Sequence, residues 1–306
     1  MMEIIDAHSH LGNNHYPNGG DLIEKTGVTQ KKSDAISVME KLQYKQTKFT
    51  LFMVKLFHGR ATDATIARMH TATRENMRKS MDEAGVSQTV CLPMSLNFVR
   101  FEDLVTARQK DPGIIPFTGV DHTKDYDYEQ VYAAHIKAGA KGLKLHPIVQ
   151  RLPLTDKKTY AIVEAFAPYG LPILFHCGVV DLYYKGKEKA NQAPELGAIK
   201  YAEELVRSFP KVNFVAGHAG TIEINDVIDL LGNYKNVWVD TSFQSPANIR
   251  RLISTFGPEK VMYGSDWPYG RRPPAIMAVK TACQGDIKLE ELLFSKNARA
   301  LMKLTA

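Results

Sequence analysis

The sequence predicts an α/β protein of the (β/α)8, or TIM, barrel class, with a helical insertion after strand 1. Eight short apolar runs occur along the 306 residues, and from about residue 85 they alternate regularly with amphipathic stretches. This alternation indicates parallel βαβ units, and eight such units are the number that closes a barrel. A doubly wound open sheet is the alternative fold.

The predicted strands are short apolar runs followed by helical patterns that tend to end at Gly or Pro. The strands fall at 3–10, 88–93, 114–120, 141–147, 172–178, 212–218, 236–242 and 260–266. Helical patterns fall at 128–139, 197–210, 223–234, 274–283 and 289–302, and the last two are expected to close the barrel.

The connection between strands 1 and 2 is much longer than the others and forms the predicted insertion, at about residues 13–80. It holds a polar loop followed by helical segments around 33–41 and 69–83. In a barrel this segment lies on the catalytic face, where loops determine specificity. No linker or repeat is seen, so residues 1–306 are predicted to form a single domain.

Composition narrows the class of protein. Apolar residues make up 44% and charged residues 24%, and no apolar run reaches the 18 or more residues of a membrane span. The start lacks a signal-peptide pattern, and the three cysteines are scattered singly, so we expect a cytoplasmic protein. The net charge of +6 indicates either a solvated basic surface or a surface that attracts an anionic substrate. Nucleic-acid binding is not expected, because it usually needs a denser basic patch.

Two histidines, His8 and His10, stand two residues apart at the end of strand 1. Residues i and i+2 of a strand share a face, so both imidazoles should point to one place. Neutral imidazole is a common ligand of zinc and similar ions. The pair therefore indicates metal binding, although a turn with two exposed histidines is the alternative.

Polar residues also end other predicted strands. Strand 4 carries Lys144 and His146, strand 5 ends in His176, strand 6 in His218 and strand 8 in Asp266. Barrel active sites lie at the carboxyl ends of the strands, so we expect these side chains to meet at one mouth.

These motifs resemble the amidohydrolase superfamily, and within it the amidohydrolase-2 group that includes aminocarboxymuconate-semialdehyde decarboxylase. The resemblance covers nearly the whole chain, least of all the insertion. It rests on DAHSH (6–10), GLKLHP (142–147), FHCG (175–178), GHAG (217–220), GSDWP (264–268) and KNARALMKL (296–304).

The resemblance implies that His8, His10 and His176 are metal ligands. Asp266 would be a fourth ligand or the acid/base beside the metal-bound water. His218 would orient or activate that water, or polarise the substrate. Three imidazoles and a carboxylate with an open position suit one catalytic zinc ion, with manganese as the alternative. Zinc lowers the pKa of bound water from about 15.7 to about 7.

Other residues carry weaker expectations. Lys144 would be a substrate-facing cation or the partner of a buried acid; in binuclear members of the superfamily a carboxylated lysine bridges two metals instead. His146 is either a substrate contact or a support. Asp6, on the same predicted face as His8, and Asp240, on the inward face of strand 7, would orient ligands. Arg272, in a pair of adjacent arginines, would bind a substrate carboxylate or lie exposed in a loop.

The predicted function is hydrolysis of a small, carboxylate-bearing organic substrate by a metal-activated water. The alternative is metal-dependent, non-oxidative decarboxylation of a small unsaturated or aromatic acid, for which Arg60 of the insertion is a candidate carboxylate-binding residue. A TatD-type deoxyribonuclease fits less well, because such enzymes usually carry glutamate where Lys144 stands. The expected partner is a small molecule, with neither nucleic acid nor membrane, and dimers are common among resembling proteins.

Overall fold

A computed structural model of the chain describes residues 2–30, 58–183 and 190–305, together with residues 34, 37, 40, 49, 52 and 56. All eight predicted strands are present in these ranges, and all are buried. They are β1 Ile5–Ser9, β2 Gln88–Cys91, β3 Ile114–Pro116, β4 Leu143–Leu145, β5 Ile173–His176, β6 Phe214–Gly217, β7 Val237–Asp240 and β8 Val261–Met262.

Helices follow the strands in the order that the sequence predicts. They are α1 His58–Met69, α2 Arg74–Ala84, α3 Phe101–Lys110, α4 Tyr128–Lys137, α5 Pro147–Gln150, α6 Lys157–Phe166, α7 Ile199–Ser208, α8 Ile224–Leu231, α9 Pro246–Phe256, α10 Arg272–Cys283, α11 Ile287–Glu291 and α12 Asn297–Leu301. The stretch predicted as a single C-terminal helix is α11 and α12 joined by one π-helical turn at Leu292–Lys296.

The strands form two parallel sheets, β1-β2-β3 and β4-β5-β6-β7-β8. Two parallel bridges join these sheets into a closed barrel, one between Thr118 and Leu143 and one between Ser9 and Trp267. Across the second seam, the amide of Asp266 donates to the carbonyl of His8 at 2.8 Å. The (β/α)8 prediction is therefore confirmed, and the seam between β1 and the segment after β8 carries three of the four predicted ligands, His8, His10 and Asp266.

The barrel interior is apolar except at its carboxyl end. One cluster collects inward-facing side chains from six strands and from the C-terminal helix, which closes the opposite end of the barrel. Its buried members are Ile5, Ala7, Val90, Leu92, Ile115, Phe117, Leu174, Val215, Met262, Ala298, Leu301 and Met302.

A β-bulge interrupts β1. The register with β2 shifts between Asp6 and Ser9, and an extra residue in one strand turns the following side chain to the other face. His8 consequently points into the barrel, toward Asp240, whereas Asp6 points outward, toward Arg272. The prediction that Asp6 and His8 share a face is wrong for this reason.

The insertion differs from its prediction in one described part. The single helical segment expected at 69–83 is the end of α1 and the whole of α2, separated by His70–Thr73. Thr73 ends the break, because its side chain caps α2 by accepting from the amide of Asn76 at 3.1 Å. Most of the segment expected at 33–41 lies outside the described residues.

Membrane-spanning helices were also sought. No helix in the described ranges is both long and apolar enough to cross a bilayer.

Candidate metal centre and active site

Three of the four predicted metal ligands form one buried cluster at the carboxyl end of the barrel. His8, His10 and Asp266 each offer an atom within 4.8 Å of the others. Nε2 of His10 lies 3.1 Å, and Nε2 of His8 lies 3.5 Å, from Oδ1 of Asp266. All three side chains are buried.

Hydrogen bonds fix which nitrogen of each imidazole carries the proton. Nδ1 of His8 lies 2.8 Å from Oδ2 of Asp240, and Nδ1 of His10 lies 2.7 Å from the carbonyl of Leu92. Carboxylate and carbonyl oxygens only accept, so both Nδ1 atoms donate. Each Nε2 therefore presents a free electron pair to Asp266.

The cluster fits a cation by its chemistry. Nε2 of His8 and Oδ1 of Asp266 are buried and have no hydrogen-bond partner among the described residues. Two nitrogen electron pairs and a carboxylate oxygen face one another with no proton between them, which is unfavourable without a positive charge. A divalent ion that takes nitrogen and oxygen ligands satisfies all three atoms.

The titration behaviour of the cluster agrees with this fit. Burial lowers the pKa of His10 and of His176 to about 3 and that of His8 well below its usual value, and the Lys144 cation adds to each effect. The imidazoles are thus held neutral, the state in which they bind metals. Burial also raises the pKa of Asp266 well above its usual range, against the effect of the Lys144 cation, so a cation at the cluster would be needed to keep this carboxylate ionised.

Asp240 supports two histidines at once. Besides His8, it accepts from the backbone amide of His218 at 3.1 Å and from both the amide and the hydroxyl of Ser242. Because the Ser242 hydroxyl donates to Asp240, its oxygen accepts from Nδ1 of His218 over 2.8 Å. Nε2 of His218 is consequently left as a proton acceptor. His8, His218 and Asp240 also lie within metal-ligand spacing, but these hydrogen bonds already occupy Asp240.

Lys144 lies in the interior of the barrel, as the sequence predicts. Its side chain is fully buried, and Nζ has no hydrogen-bond partner among the described residues. Burial lowers the pKa of Lys144 to about 8, against the opposing effect of Asp266 and Asp240. An unpaired buried ammonium is a strong anion-binding group.

His176 and His146 reach the mouth as a stacked pair, with ring centroids 4.3 Å apart. The described structure does not bring His176 into the metal-spaced cluster; its Nε2 lies 3.1 Å from the carbonyl of Gly178. Nδ1 of His146 accepts from the amide of Val149 at the start of α5. The contacts of His146 thus match the support alternative rather than the substrate contact.

Arg272 is not where a substrate contact was expected. It is completely buried on the outer side of β1, and its guanidinium donates to Asp6, Ser80 and Thr89. Neither the carboxylate-binding role nor the exposed-loop alternative fits, because Arg272 begins α10 and its side chain lies buried between the barrel and α2. Asp6 remains close to the site through the backbone amides of His8 and Ser265.

Several residues of the mouth escaped sequence reasoning. Tyr269 lies three residues after Asp266, and its ring meets the ring of His10 edge-on at 5.5 Å. Its hydroxyl lies 2.6 Å from Nε2 of the buried His15, whose carbonyl accepts from the hydroxyl of Tyr183. Loops after β1, β5 and β8 therefore meet here. The only sequence signal was their position after strand ends.

The insertion is tied to the same region by ion pairs. Arg68 of α1 binds Asp34 and Glu40 and donates to the carbonyl of Tyr269. Glu40 also accepts from Arg271, at 2.7 Å from its Nε. The insertion thus packs on the catalytic face, as predicted. The side chain of Arg60, the candidate carboxylate-binding residue, lies outside the described part of the chain.

Solved structures of similar fold are known. The chain aligns with 5-carboxyvanillate decarboxylase from Novosphingobium aromaticivorans, solved with manganese (14% identity, 99% of this chain and 96% of that chain, TM-score 0.66). It aligns equally with 2,6-dihydroxybenzoate decarboxylase from Rhizobium (13%, 99% and 99%, TM-score 0.66). A probable 2-pyrone-4,6-dicarboxylic acid hydrolase from Acinetobacter baumannii aligns at 17% identity (99% and 100%, TM-score 0.60). At these identities the likeness shows a shared fold.

Sequence comparison gives the family. No curated protein sequence matches this chain. A family model described as amidohydrolase, that of the amidohydrolase-2 group, matches residues 5–304. This range includes the insertion, the ligand cluster and the C-terminal helix. The chain therefore belongs to the amidohydrolase-2 family.

Proposed function

We propose that the protein is a metal-dependent hydrolase of a small, carboxylate-bearing substrate. One divalent ion, zinc with manganese as the alternative, would be held by Nε2 of His8, Nε2 of His10 and Oδ1 of Asp266. The observation that carries the proposal is the convergence of these three buried, unprotonated atoms on one point. His176 is proposed as the remaining ligand; because its Nε2 bonds to Gly178, Nδ1 is the nitrogen with the free electron pair.

A bound divalent ion supplies acidity to a water molecule and charge to a developing oxyanion. The chain supplies the proton transfers. Nε2 of His218 is an acceptor held in place through Ser242 and Asp240. Oδ2 of Asp266 lies 3.8 Å from Nδ1 of His218 and offers a second site for the proton. Together they can take a proton from water and return it to a leaving group.

Lys144 is proposed to bind the carboxylate of the substrate. Its ammonium is buried and lacks a hydrogen-bond partner in the described part of the chain, so a substrate anion would satisfy it. This contact would orient a lactone, amide or ester group toward the metal. Arg272 does not take part in this contact, because its guanidinium is directed to Asp6, Ser80 and Thr89 on the outer side of β1.

Decarboxylation is the second candidate. The buried Lys144 cation favours it, since it can hold an acid group beside the metal, and two proteins of similar fold carry the names of decarboxylases of 5-carboxyvanillate and 2,6-dihydroxybenzoate. In that reaction a proton replaces carbon dioxide on carbon. His218 would first take this proton at Nε2, from water or from a hydroxyl of the substrate, and then deliver it to the carbon.

Metal content tests the site. We expect elemental analysis of gently purified protein to give about one zinc or manganese ion per chain. A His10→Ala variant should lose the ion, whereas His135→Ala should keep it, because His135 lies in α4 and packs against Phe101 and Thr118. About two ions per chain would point to a carboxylated Lys144 in a binuclear site. No ion, even after zinc and manganese are added back, contradicts the proposal.

Product analysis separates the two reactions. The metal-loaded protein is offered 2-pyrone-4,6-dicarboxylate and other lactones, and ring opening is followed by absorbance. Hydroxylated aromatic acids are offered in parallel, and released carbon dioxide is measured. Ring opening without carbon dioxide supports hydrolysis, and the reverse supports decarboxylation.

Further expectations accompany this proposal. We infer that the partner is a small molecule rather than nucleic acid, that residues 1–306 act as one domain, and that the protein can form a homodimer. A cytoplasmic location is supported by Cys91, Cys177 and Cys283, which are all buried and unpaired. Gel filtration with light scattering tests the dimer.

A further inference from the structure

A buried ion pair lies on the outer side of β1, directly behind the proposed metal ligands. Nε of Arg272 donates to Oδ2 of Asp6 at 3.1 Å, and both side chains are completely buried. Taking two charges out of water is costly, and well-packed apolar residues in their place are often as stable. Stability alone therefore does not account for the pair.

The Arg272 guanidinium is fixed on every side. Nη1 donates to the hydroxyl of Ser80 in α2 at 2.9 Å, and Nη2 donates to the hydroxyl of Thr89 in β2 at 3.2 Å. Its central carbon lies 5.1 Å from the centre of the Trp267 ring. A planar guanidinium held in this way sets the direction of its carboxylate partner.

Asp6 in turn forms hydrogen bonds with both segments that carry proposed metal ligands, β1 and the segment after β8. Its Oδ1 accepts from the amide of His8 at 3.3 Å and from the amide of Ser265 at 2.9 Å. Its Oδ2 accepts from the hydroxyl of Ser265 at 2.5 Å. His8 is itself a proposed ligand, and Ser265 immediately precedes Asp266.

The segment that carries Asp266 lies beyond the last strand and is joined to β1 by a few backbone hydrogen bonds, among them the one from the amide of Asp266 to the carbonyl of His8. β8 ends at Met262, four residues before Asp266. Metal ligands need to be held within a few tenths of an ångström of their working positions, which requires supporting contacts. The Asp6 carboxylate is placed to provide them across the seam.

We propose that Arg272 is a positioning residue for the metal centre. By holding the Asp6 carboxylate between β1 and the segment after β8, it fixes the separation of His8 and His10 from Asp266. This inference rests on the proposed function. It means that Asp6 and Arg272, on the outer face of the barrel, contribute to the affinity for the metal inside.

Metal affinity of folded variants tests the inference. Arg272→Met removes both the positive charge and the planar guanidinium, whereas Arg272→Lys keeps the charge but loses the planar set of N–H donors. Arg78→Met is the matched control, because Arg78 forms a two-bond pair with Asp111 that contacts no proposed ligand. The Kd for Zn²⁺ is measured by competition with a chelator, and the visible spectrum of the Co²⁺-loaded protein reports the ligand geometry.

We expect the Kd for Zn²⁺ to rise by about 10- to 100-fold in Arg272→Met, as is common when the support of a ligand is lost. Arg272→Lys should recover part of this loss, and both should change the Co²⁺ spectrum. Arg78→Met should bind like the unchanged protein even if it unfolds at a lower temperature. If Arg272→Met does not fold, Arg272→Lys carries the test.

Two results count against the inference in different ways. Unaltered Kd and Co²⁺ spectra in folded Arg272 variants overturn the positioning role and leave the metal site intact. Absence of metal binding in the unchanged protein overturns the proposed function, and the positioning role with it.

Discussion

At the scale of single residues, Asp240 is the organiser of the site. Its carboxylate accepts a hydrogen bond from Nδ1 of His8 and, through Ser242, sets the tautomer of His218. The Asp240 carboxylate therefore orients both the proposed metal ligand His8 and the proposed general base His218. Such supporting carboxylates determine both the direction and the basicity of the imidazoles they contact.

The role of His218 leads to a prediction about turnover. His218→Ala should keep its metal but lose about 10²- to 10⁴-fold in kcat, the usual contribution of a general base. Ser242→Ala should show a smaller loss and an altered pH profile, because Nδ1 of His218 then loses its acceptor. Elemental analysis and steady-state kinetics check both variants. Unchanged turnover in His218→Ala would remove it from the mechanism.

Lys144 gives a prediction about pH. Its pKa is lowered to about 8, so the cation is present below that pH and is lost as the pH rises through it. Binding of a carboxylate inhibitor should weaken above about pH 8, by up to tenfold per unit. Calorimetric titration at several pH values measures this. Lys144→Met should bind weakly at every pH, and a neutral amide analogue of the inhibitor should show no such dependence.

Sequence reasoning located these residues because strand ends are visible as apolar runs followed by a polar residue. It misplaced Asp6 and Arg272, since both depend on the bulge in β1 and on the way α10 folds back. Neither feature changes the apolar pattern. His15 and Tyr269 were missed because loop conformation brings them together, and loops carry no periodic signal.

At the scale of elements, two glycines make room for His8. A Cβ atom at Gly264 would lie 2.9 Å from Oδ1 of Asp240 and 3.1 Å from Cβ of His8, and one at Gly217 would lie 3.2 Å from Cε1 of His8. These positions begin the motifs GSDWP and GHAG. A Cβ at Gly217 would also lie 2.9 Å from the carbonyl oxygen of Phe175, so close packing around His8, and not a left-handed backbone, requires glycine at both positions.

Gly264→Ala tests this packing. The added methyl should push His8 or Asp240 from its place and weaken Zn²⁺ binding by roughly tenfold or more, with the fold retained. Gly85→Ala serves as a contrast, because a Cβ there meets nothing within 4 Å, although its positive φ of 70° makes that variant mildly unstable. Equal Zn²⁺ affinity in Gly264→Ala would show that the site can adjust.

At the scale of the whole molecule, the proposed ion joins parts of the chain that are far apart in sequence. His8, His10 and Asp266 come from the two sides of the closing seam, the end of β1 and the segment after β8, and His176 comes from the end of β5. The insertion contacts the same segment through Arg68 and Glu40. Metal binding should therefore stabilise the closed barrel.

Removal of the metal gives the matching prediction. A ligand present at 100 times its Kd stabilises the folded state by about 2.7 kcal/mol, which for a chain of this length corresponds to a fall in Tm of roughly 4 °C on chelation. Scanning calorimetry with and without EDTA measures it. Hydrogen exchange should increase more in β1 and after β8 than in β3. If EDTA leaves the Tm unchanged, metal binding does not stabilise the seam between β1 and the segment after β8.

The bulge in β1 gives one strand two different environments at neighbouring positions. The side chain of Asp6 forms a buried ion pair with Arg272 on the outer face of the barrel wall. The side chains of His8 and His10 point inside, to the proposed metal site. Loss or gain of a single residue between Asp6 and Ser9 would exchange these environments. A design that transplants this strand into another scaffold must therefore keep the bulge along with the histidines. In a copy that alternates regularly, either Asp6 or His8 would point to the wrong face of the barrel wall.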